Sequence, residues 1–168
     1  MEVMFVVLAI TFDHTEHVLL GRVALAFVLC FALGFEREAR GAPAGDRTYA
    51  MVGTAAAAVT AVTFSQSPQA IAGVLTGVGF IGGGMVWREP AGMVKGITSA
   101  ATLFTVVAIG VVAGTGHTAL AMGVAAIVLV DLELRHLPLL KHLDARRYVG
   151  MVSDDDDMPG KEMPAPGT

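Results

Sequence analysis

The sequence predicts an all-α fold: a polytopic membrane helix bundle of five transmembrane helices, preceded by a short N-terminal apolar helix. Three observations carry that prediction. First, 54% of the 168 residues are apolar and 15% are charged, against about 25% charged in soluble domains. Mean hydropathy is +0.66. A chain of this length makes one domain, with too little interior to hide so much apolar surface. Second, apolar runs of helix length recur between short polar or glycine-rich breaks. Third, the basic residues sort into alternate breaks.

Met1–Phe12 is apolar but shorter than the roughly 20 residues that a spanning helix needs, so it is expected at the interface or packed on the bundle. It has no basic flank or small-residue cleavage site, so it does not read as a secretory signal. Asp13 with Glu16 has capping-box spacing, and a first helix follows, roughly Thr15–Phe35. Glu36–Thr48 reads as a charged turn broken by Gly41, Pro43 and Gly45. Asp46 is placed to cap a second helix, roughly Arg47–Phe64. Ser65–Pro68 is an uncharged turn. A third helix is expected over Gln69–Trp87, then a charged turn with Pro90 and Gly92. A fourth covers roughly Ile97–Ala113, Gly114–Gly116 turns the chain, and a fifth covers roughly His117–Leu134. Residues 1–149 form the membrane domain, its last part a basic juxtamembrane segment suited to anionic lipid. Residues 150–168, with Asp154–Asp157 and three prolines, read as a disordered acidic tail.

Charge sets the orientation. Arg37, Arg40 and Arg47 fall between helices one and two, Arg88 and Lys95 between three and four, and five more basic residues after helix five. The breaks two–three and four–five carry no Lys or Arg. The positive-inside rule puts the basic breaks in the cytoplasm, with the N-terminus outside and the C-terminus inside. Arg22 lies within helix one. Near the helix start it can snorkel to the outer interface, or it can pair with Glu16 or with helix carbonyls.

The same composition excludes several function classes. A net charge of −4 offers no basic field for nucleic acid. The single cysteine, Cys30, excludes an intrachain disulfide and a thiolate cage. No spacing proposes a catalytic set, a metal site or a cofactor. Gly77-Val78-Gly79-Phe80-Ile81-Gly82 matches the dinucleotide fingerprint in letters, but it sits inside an apolar run with no acid about 20 residues on. The glycines read better as a packing face. Gly73/Gly77 and Gly79/Gly83 are small-x-x-x-small pairs that let another helix approach, within one chain or between two copies as a homo-oligomer. Gly82–Gly84 is the natural break point if the helix interrupts. Thr98, Thr102 and Thr105 share a face of helix four, as interhelical glue or as the lining of a small polar cavity. The carboxylates cluster at the cytoplasmic edge, where an ion-pair network with the turn arginines is expected.

Two long stretches then become recognisable. Gly34-Phe35-Glu36-Arg37-Glu38, with Arg40-Gly41, Pro43-Ala44-Gly45 and Arg47-Thr48, resembles the first signature of the MgtC/SapB family. Gly77–Met85, then Arg88-Glu89, then Val94-Lys95-Gly96-Ile97-Thr98-Ser99-Ala100-Ala101-Thr102-Leu103, resembles the second. The resemblance covers about residues 18–134 and suggests a short form with the membrane domain only. It implies a non-enzymatic protein of the bacterial inner membrane, linked to magnesium homeostasis or growth in low magnesium, that acts on a membrane protein partner in the lipid bilayer. A small ion or solute transporter is the alternative. Matching positions imply a functional surface of Glu36, Arg37, Glu38, Arg47, Thr48, Gly79, Gly82, Gly83, Arg88, Gly96, Thr98 and Thr102.

Overall fold

The structure, a computed structural model, describes residues 14–88, 90 and 94–133. The expected N-terminal apolar helix, the Asp13 cap, the juxtamembrane segment and the acidic tail lie outside these residues. The described chain is mostly helical: α1 (His14–Ala39), α2 (Asp46–Thr63), α3 (Gln69–Gly84), α4 (Ile97–Gly114) and α5 (Thr118–Glu133). Two short strands, β1 (Trp87–Arg88) and β2 (Val94–Lys95), pair antiparallel between α3 and α4, with Trp87 opposite Lys95 and Arg88 opposite Val94. Among the described residues, those up to Leu129 belong to one compact unit and Val130–Glu133 to another.

Several boundaries differ from the sequence expectation. α1 runs to Ala39, so Glu36, Arg37 and Glu38 stand on a helix and not in a turn. All three are good helix formers, and Glu36 and Arg40 pair at one-turn spacing. The stop comes at Gly41, whose φ of 69° suits only glycine without strain. There the Ala42 N–H bonds the Arg37 carbonyl at 3.0 Å and the Gly41 N–H bonds the Glu38 carbonyl at 2.9 Å, which is a Schellman end. Asp46 is not the cap of α2. Gly45 is the N-cap without a side-chain bond, and Glu38 Oε2 accepts the Asp46 N–H at 3.1 Å. A carboxylate from the preceding helix thus satisfies an open N–H of the next. α3 stops at Gly84, three residues short of Trp87, within its own glycine run.

The core is built by α1, α2 and α4, with Leu33, Tyr49, Leu103 and Ile109 fully buried. Small residues let these helices meet closely. A Cβ on Gly53 would lie 2.8 Å from Cys30 Cβ, one on Gly110 2.9 Å from Ala56 Cβ, and one on Gly114 2.6 Å from the Ala57 carbonyl oxygen. Gly34 meets the start of α2 in the same way, with Tyr49 Cβ at 2.8 Å. α3 rests on α4 through Val78 and Gly82, its buried residues.

Large apolar side chains face outward on every helix: Val28 on α1, Met51 on α2, Phe80 on α3, Phe104 on α4 and Ile127 on α5. Soluble monomers rarely expose so continuous an apolar exterior. Among the described residues, two helices, Thr15–Ala39 and Ile97–Gly114, are long and apolar enough to cross a membrane. α3 and α5, with 16 residues each, about 24 Å of helix, are shorter than expected. α2 has the expected length, 18 residues, but opens on Asp46 and Arg47 and is rich in threonine.

Candidate functional site

The charged residues of both signatures collect at one end of the bundle, where α1 ends, α2 begins and α4 begins. Arg37 Nη2 donates to Ser99 Oγ at 3.1 Å. The Tyr49 hydroxyl donates to the Ser99 carbonyl at 3.2 Å. Three helices are therefore pinned through one serine near the start of α4. Tyr49 also faces Thr102 and Glu36.

Glu36 is the most buried acid of this cluster, its side chain 10% exposed, and it forms an ion pair with Arg40. That pair is a contact of charges and not an aligned hydrogen bond, since both carboxylate oxygens are buried without a hydrogen-bond partner. Arg37 Nε is likewise buried and unbonded. A buried ion pair of this kind contributes little net stability, but removing one partner strands the other charge. Of the expected network of turn arginines and acids, the described residues show the Glu36–Arg40 pair within α1, while Arg37 turns to Ser99 and Glu38 to the Asp46 N–H. Arg47 and Arg88 are exposed and Thr48 is half-buried.

Gly96 is the N-cap of α4 with φ 89°. Its missing Cβ leaves room for the Met85 carbonyl and, 3.2 Å from the same position, for the Trp87 ring. The close approach of the α3 end to the α4 start therefore requires glycine here.

Thr102 Oγ1 donates to the Thr98 carbonyl at 2.7 Å and Thr105 Oγ1 to the Ala101 carbonyl at 3.1 Å, each on its own helix, one turn back. Thr102 also lies within hydrogen-bonding reach of the Tyr49 hydroxyl of α2. Thr98 is exposed, and Thr102 is buried.

The glycines of α3 correct the packing expectation most clearly. A Cβ on Gly73, Gly77, Gly79, Gly83 or Gly84 would meet nothing within 4 Å, and one on Gly82 would meet only Ala100 of α4, at 3.7 Å. Among the described residues, no backbone approaches these glycines apart from that of Ala100 beside Gly82. Gly79, Gly82 and Gly83, with Val78, Val86, Ile97, Ala100, Ala101 and Phe104, line an apolar groove of about 400 Å³ between α3 and α4. The nucleotide-like letters lie wholly in α3, and the strands nearest to them follow that helix.

At the other end, Arg22 does not simply reach outward. Its Nη1 donates to the Gly114 carbonyl at 3.4 Å, an otherwise open acceptor at the C-terminus of α4, where a cation also suits the helix dipole.

Sequence reasoning passed over Tyr49, Gly53 and Gly110, quoted Gly34 and Ser99 within the signatures without giving them a role, and read Gly114 as a turn residue. The spacing of Gly110 and Gly114, and of Gly53 and Ala57, was a readable signal. Ser99 gave none, because its role comes from Arg37 and Tyr49, both more than 45 residues away. Among the described residues, no three His, Cys, Asp or Glu side chains converge to hold a metal ion.

A model of the MgtC family matches residues 23–137, a stretch that includes the charged end, the α3 glycines and the packed glycines of α2 and α4. The chain belongs to the MgtC family. A protein named MgtC from Brucella abortus (strain 2308) is 37% identical over 144 residues, which is 80% of this chain and 57% of the relative. YhiD of Escherichia coli (strain K12), whose name carries a provisional magnesium-transporter label, is 35% identical over 128 residues, 68% of this chain and 59% of the relative. The chain therefore spans less than two thirds of the length of these MgtC-family relatives. No solved structure matches. MgtC-family membership and the apolar exterior together point to a membrane protein.

Proposed function

We propose that this MgtC-family chain crosses the bacterial inner membrane five times, N-terminus outside and C-terminus cytoplasmic. In this reading it works without catalysis, as a regulator in magnesium homeostasis or low-magnesium adaptation, by lateral contact with a membrane protein partner. The orientation rests on the positive-inside rule. The magnesium link rests on the label of the YhiD relative and on the family resemblance.

One observation carries the regulatory reading. Among the described residues, nothing closes on the glycine face of α3 at Gly73, Gly77, Gly79 and Gly83, with Phe80 87% exposed beside it. In lipid, small residues favour association by letting backbones approach, and an open face of this kind is available to a second helix. The hydroxyls of α4, bonded to their own backbone, give less support to a polar path.

The test substitutes Gly79→Leu and Gly83→Leu in the full chain. Each is expected to abolish co-purification of the partner from solubilised membranes while thermal unfolding stays in place. Undiminished recovery with both variants overturns the reading.

A second reading, an ion or solute carrier, is favoured by the end of α3 inside Gly82–Gly84. It predicts saturable Mg²⁺ entry into liposomes that hold the protein and a magnesium-sensitive dye, reduced by Thr102→Val. No uptake above empty liposomes removes it.

A further inference from the structure

We propose that α1 and α4 carry an axial register lock: three polar contacts, one at each end of the pair and one midway, that hold α4 at a single height against α1. The lock rests on contacts within the chain and is independent of the partner reading above.

The first observation is spacing. Arg22 Nη1 donates to the Gly114 carbonyl at 3.4 Å, Cys30 Sγ to the Val106 carbonyl at 3.7 Å, and Arg37 Nη2 to Ser99 Oγ at 3.1 Å. The intervals agree on both helices. Arg22 to Cys30 and Val106 to Gly114 are eight residues each, and Cys30 to Arg37 and Ser99 to Val106 are seven each. Seven or eight residues are about two turns, so the three donors fall on one face of α1. One antiparallel register therefore satisfies all three contacts at once.

The second observation is what the apolar contacts leave open. α4 also packs on α2, through Gly110 set against Gly53 and Ala56, and through Gly114 set against Ala57 and Thr60. That ladder of small residues repeats every four positions. With α4 lowered by one turn toward the charged end, Gly114 would meet Gly53 in place of Gly110, glycine still against glycine. Small residues supply close approach without choosing between turns. The polar contacts do choose. After the same slip Arg37 would face Leu103, a fully buried residue, in place of Ser99, and Arg22 would lie beyond the last carbonyls of α4. A half-buried guanidinium left against apolar side chains is costly, and fixing register is the best-attested use of such polar groups.

The third observation is that each end is held by more than one neighbour. At the charged end the Tyr49 hydroxyl of α2 bonds the carbonyl of the same Ser99. At the other end the guanidinium lies flat against Gly116, where a Cβ would stand 2.8 Å from Arg22 Cζ. Ala100, Ala101 and Phe104 of the α3–α4 groove follow Ser99 on α4, so the lock also sets the height of that wall.

The register is read as the distance between two nitroxide labels in the full chain, solubilised in detergent and diluted with unlabelled protein so that only distances within one copy count. Labels on Leu20→Cys of α1 and Phe104→Cys of α4, both exposed positions, are offset along the bundle and report height. Labels on Leu20→Cys and Val62→Cys of α2, also exposed, give a reference that a slip of α4 leaves alone. Cys30 is fully buried and takes up no label. The expected result is one α1–α4 distance in the unchanged background, and the same distance in Arg22→Leu or Arg37→Leu alone, because the other end still holds. In Arg22→Leu/Arg37→Leu the thiol, a weak donor, is left by itself. A second, longer distance is then expected, displaced by up to about 5 Å, one turn, with the α1–α2 distance in place.

A single unchanged distance in the double variant overturns the lock, since packing alone then sets the height. A second distance as abundant in either single variant as in the double overturns it too, since the two ends then do not back each other up. If the double variant loses the α1–α2 distance, Arg22→Leu/Ser99→Ala, which keeps the Arg37 charge, decides by the same readings. Loss of the reference there as well means that these residues hold the fold and not the register, and the proposal falls.

Discussion

The glycines of α3 and those of α2 and α4 share a spacing but not an environment. Gly110 and Gly114 of α4 face Gly53 and Ala57 of α2, so close that even a methyl group would strike backbone or Cβ atoms. Among the described residues, Gly73, Gly77, Gly79 and Gly83 of α3 face nothing within 4 Å. One set builds the monomer. The other is a surface, and a glycine-rich surface has a cost, because each exposed helical glycine gives up about 0.5–1 kcal/mol relative to alanine. The difference teaches that a small-x-x-x-small pair reports an opportunity for close approach and not the identity of the neighbour.

The strongest way to break this comparison is to fill the packed set. Gly110→Ala is expected to destabilise the chain by about 1–3 kcal/mol or more, because the new methyl overlaps α2 and both backbones must shift. Gly53→Ala, pressed on Cys30, should behave alike. Thermal unfolding in detergent reads both. Wild-type stability for either variant would mean that the α2–α4 contact is looser than described.

Filling the open set should do the opposite. Gly73→Ala/Gly77→Ala is expected to leave the midpoint unchanged or to raise it, by up to about 1 kcal/mol per site. A loss of stability would show that the Gly73–Gly77 face of α3 packs within the chain after all.

A smaller effect is expected at the far end of α4. Arg22→Leu removes a charge-assisted bond to the Gly114 carbonyl and should cost about 1–2 kcal/mol, measured by the same unfolding. If Arg22→Gln, which keeps a donor, is as damaging as Arg22→Leu, the carbonyl contact is not what Arg22 supplies.

The smallest effect belongs to Thr105→Val. Its hydroxyl bonds its own helix on an exposed face, so the change should stay within about 0.5 kcal/mol. A larger loss would mean that this hydroxyl reaches a neighbouring helix.

Much of the fold was legible because it is written locally. The starts of α3 and α4 follow Pro68 and Gly96, and the α1–α2 connection ends near Gly45, as turn residues indicate. The end of α1 was misjudged because Glu36–Glu38 read as a polar turn, whereas charged residues at the end of a helix are also good helix formers and the true stop is the left-handed Gly41. Asp46 looked like the cap of α2, but the capping carboxylate comes from Glu38 across the turn. Of the charged end, Glu36, Arg37 and Glu38 were assigned to the functional surface, while Tyr49 and Ser99 were not, since a tyrosine or serine in an apolar run carries no mark until its partner is placed.

By itself, the sequence determined the helical class, the approximate order and limits of the five described helices, and the sorting of basic residues into alternate breaks between apolar runs. These follow from side-chain polarity, backbone preference and charge, which act at or near each residue. Only the tertiary structure decided which glycines are packed and which are open, that Arg22 meets a helix carbonyl, and that the α4 threonines turn inward to their own backbone. Those outcomes depend on which helix arrives at a given face, and that is set by the fit of whole surfaces brought together from distant parts of the chain.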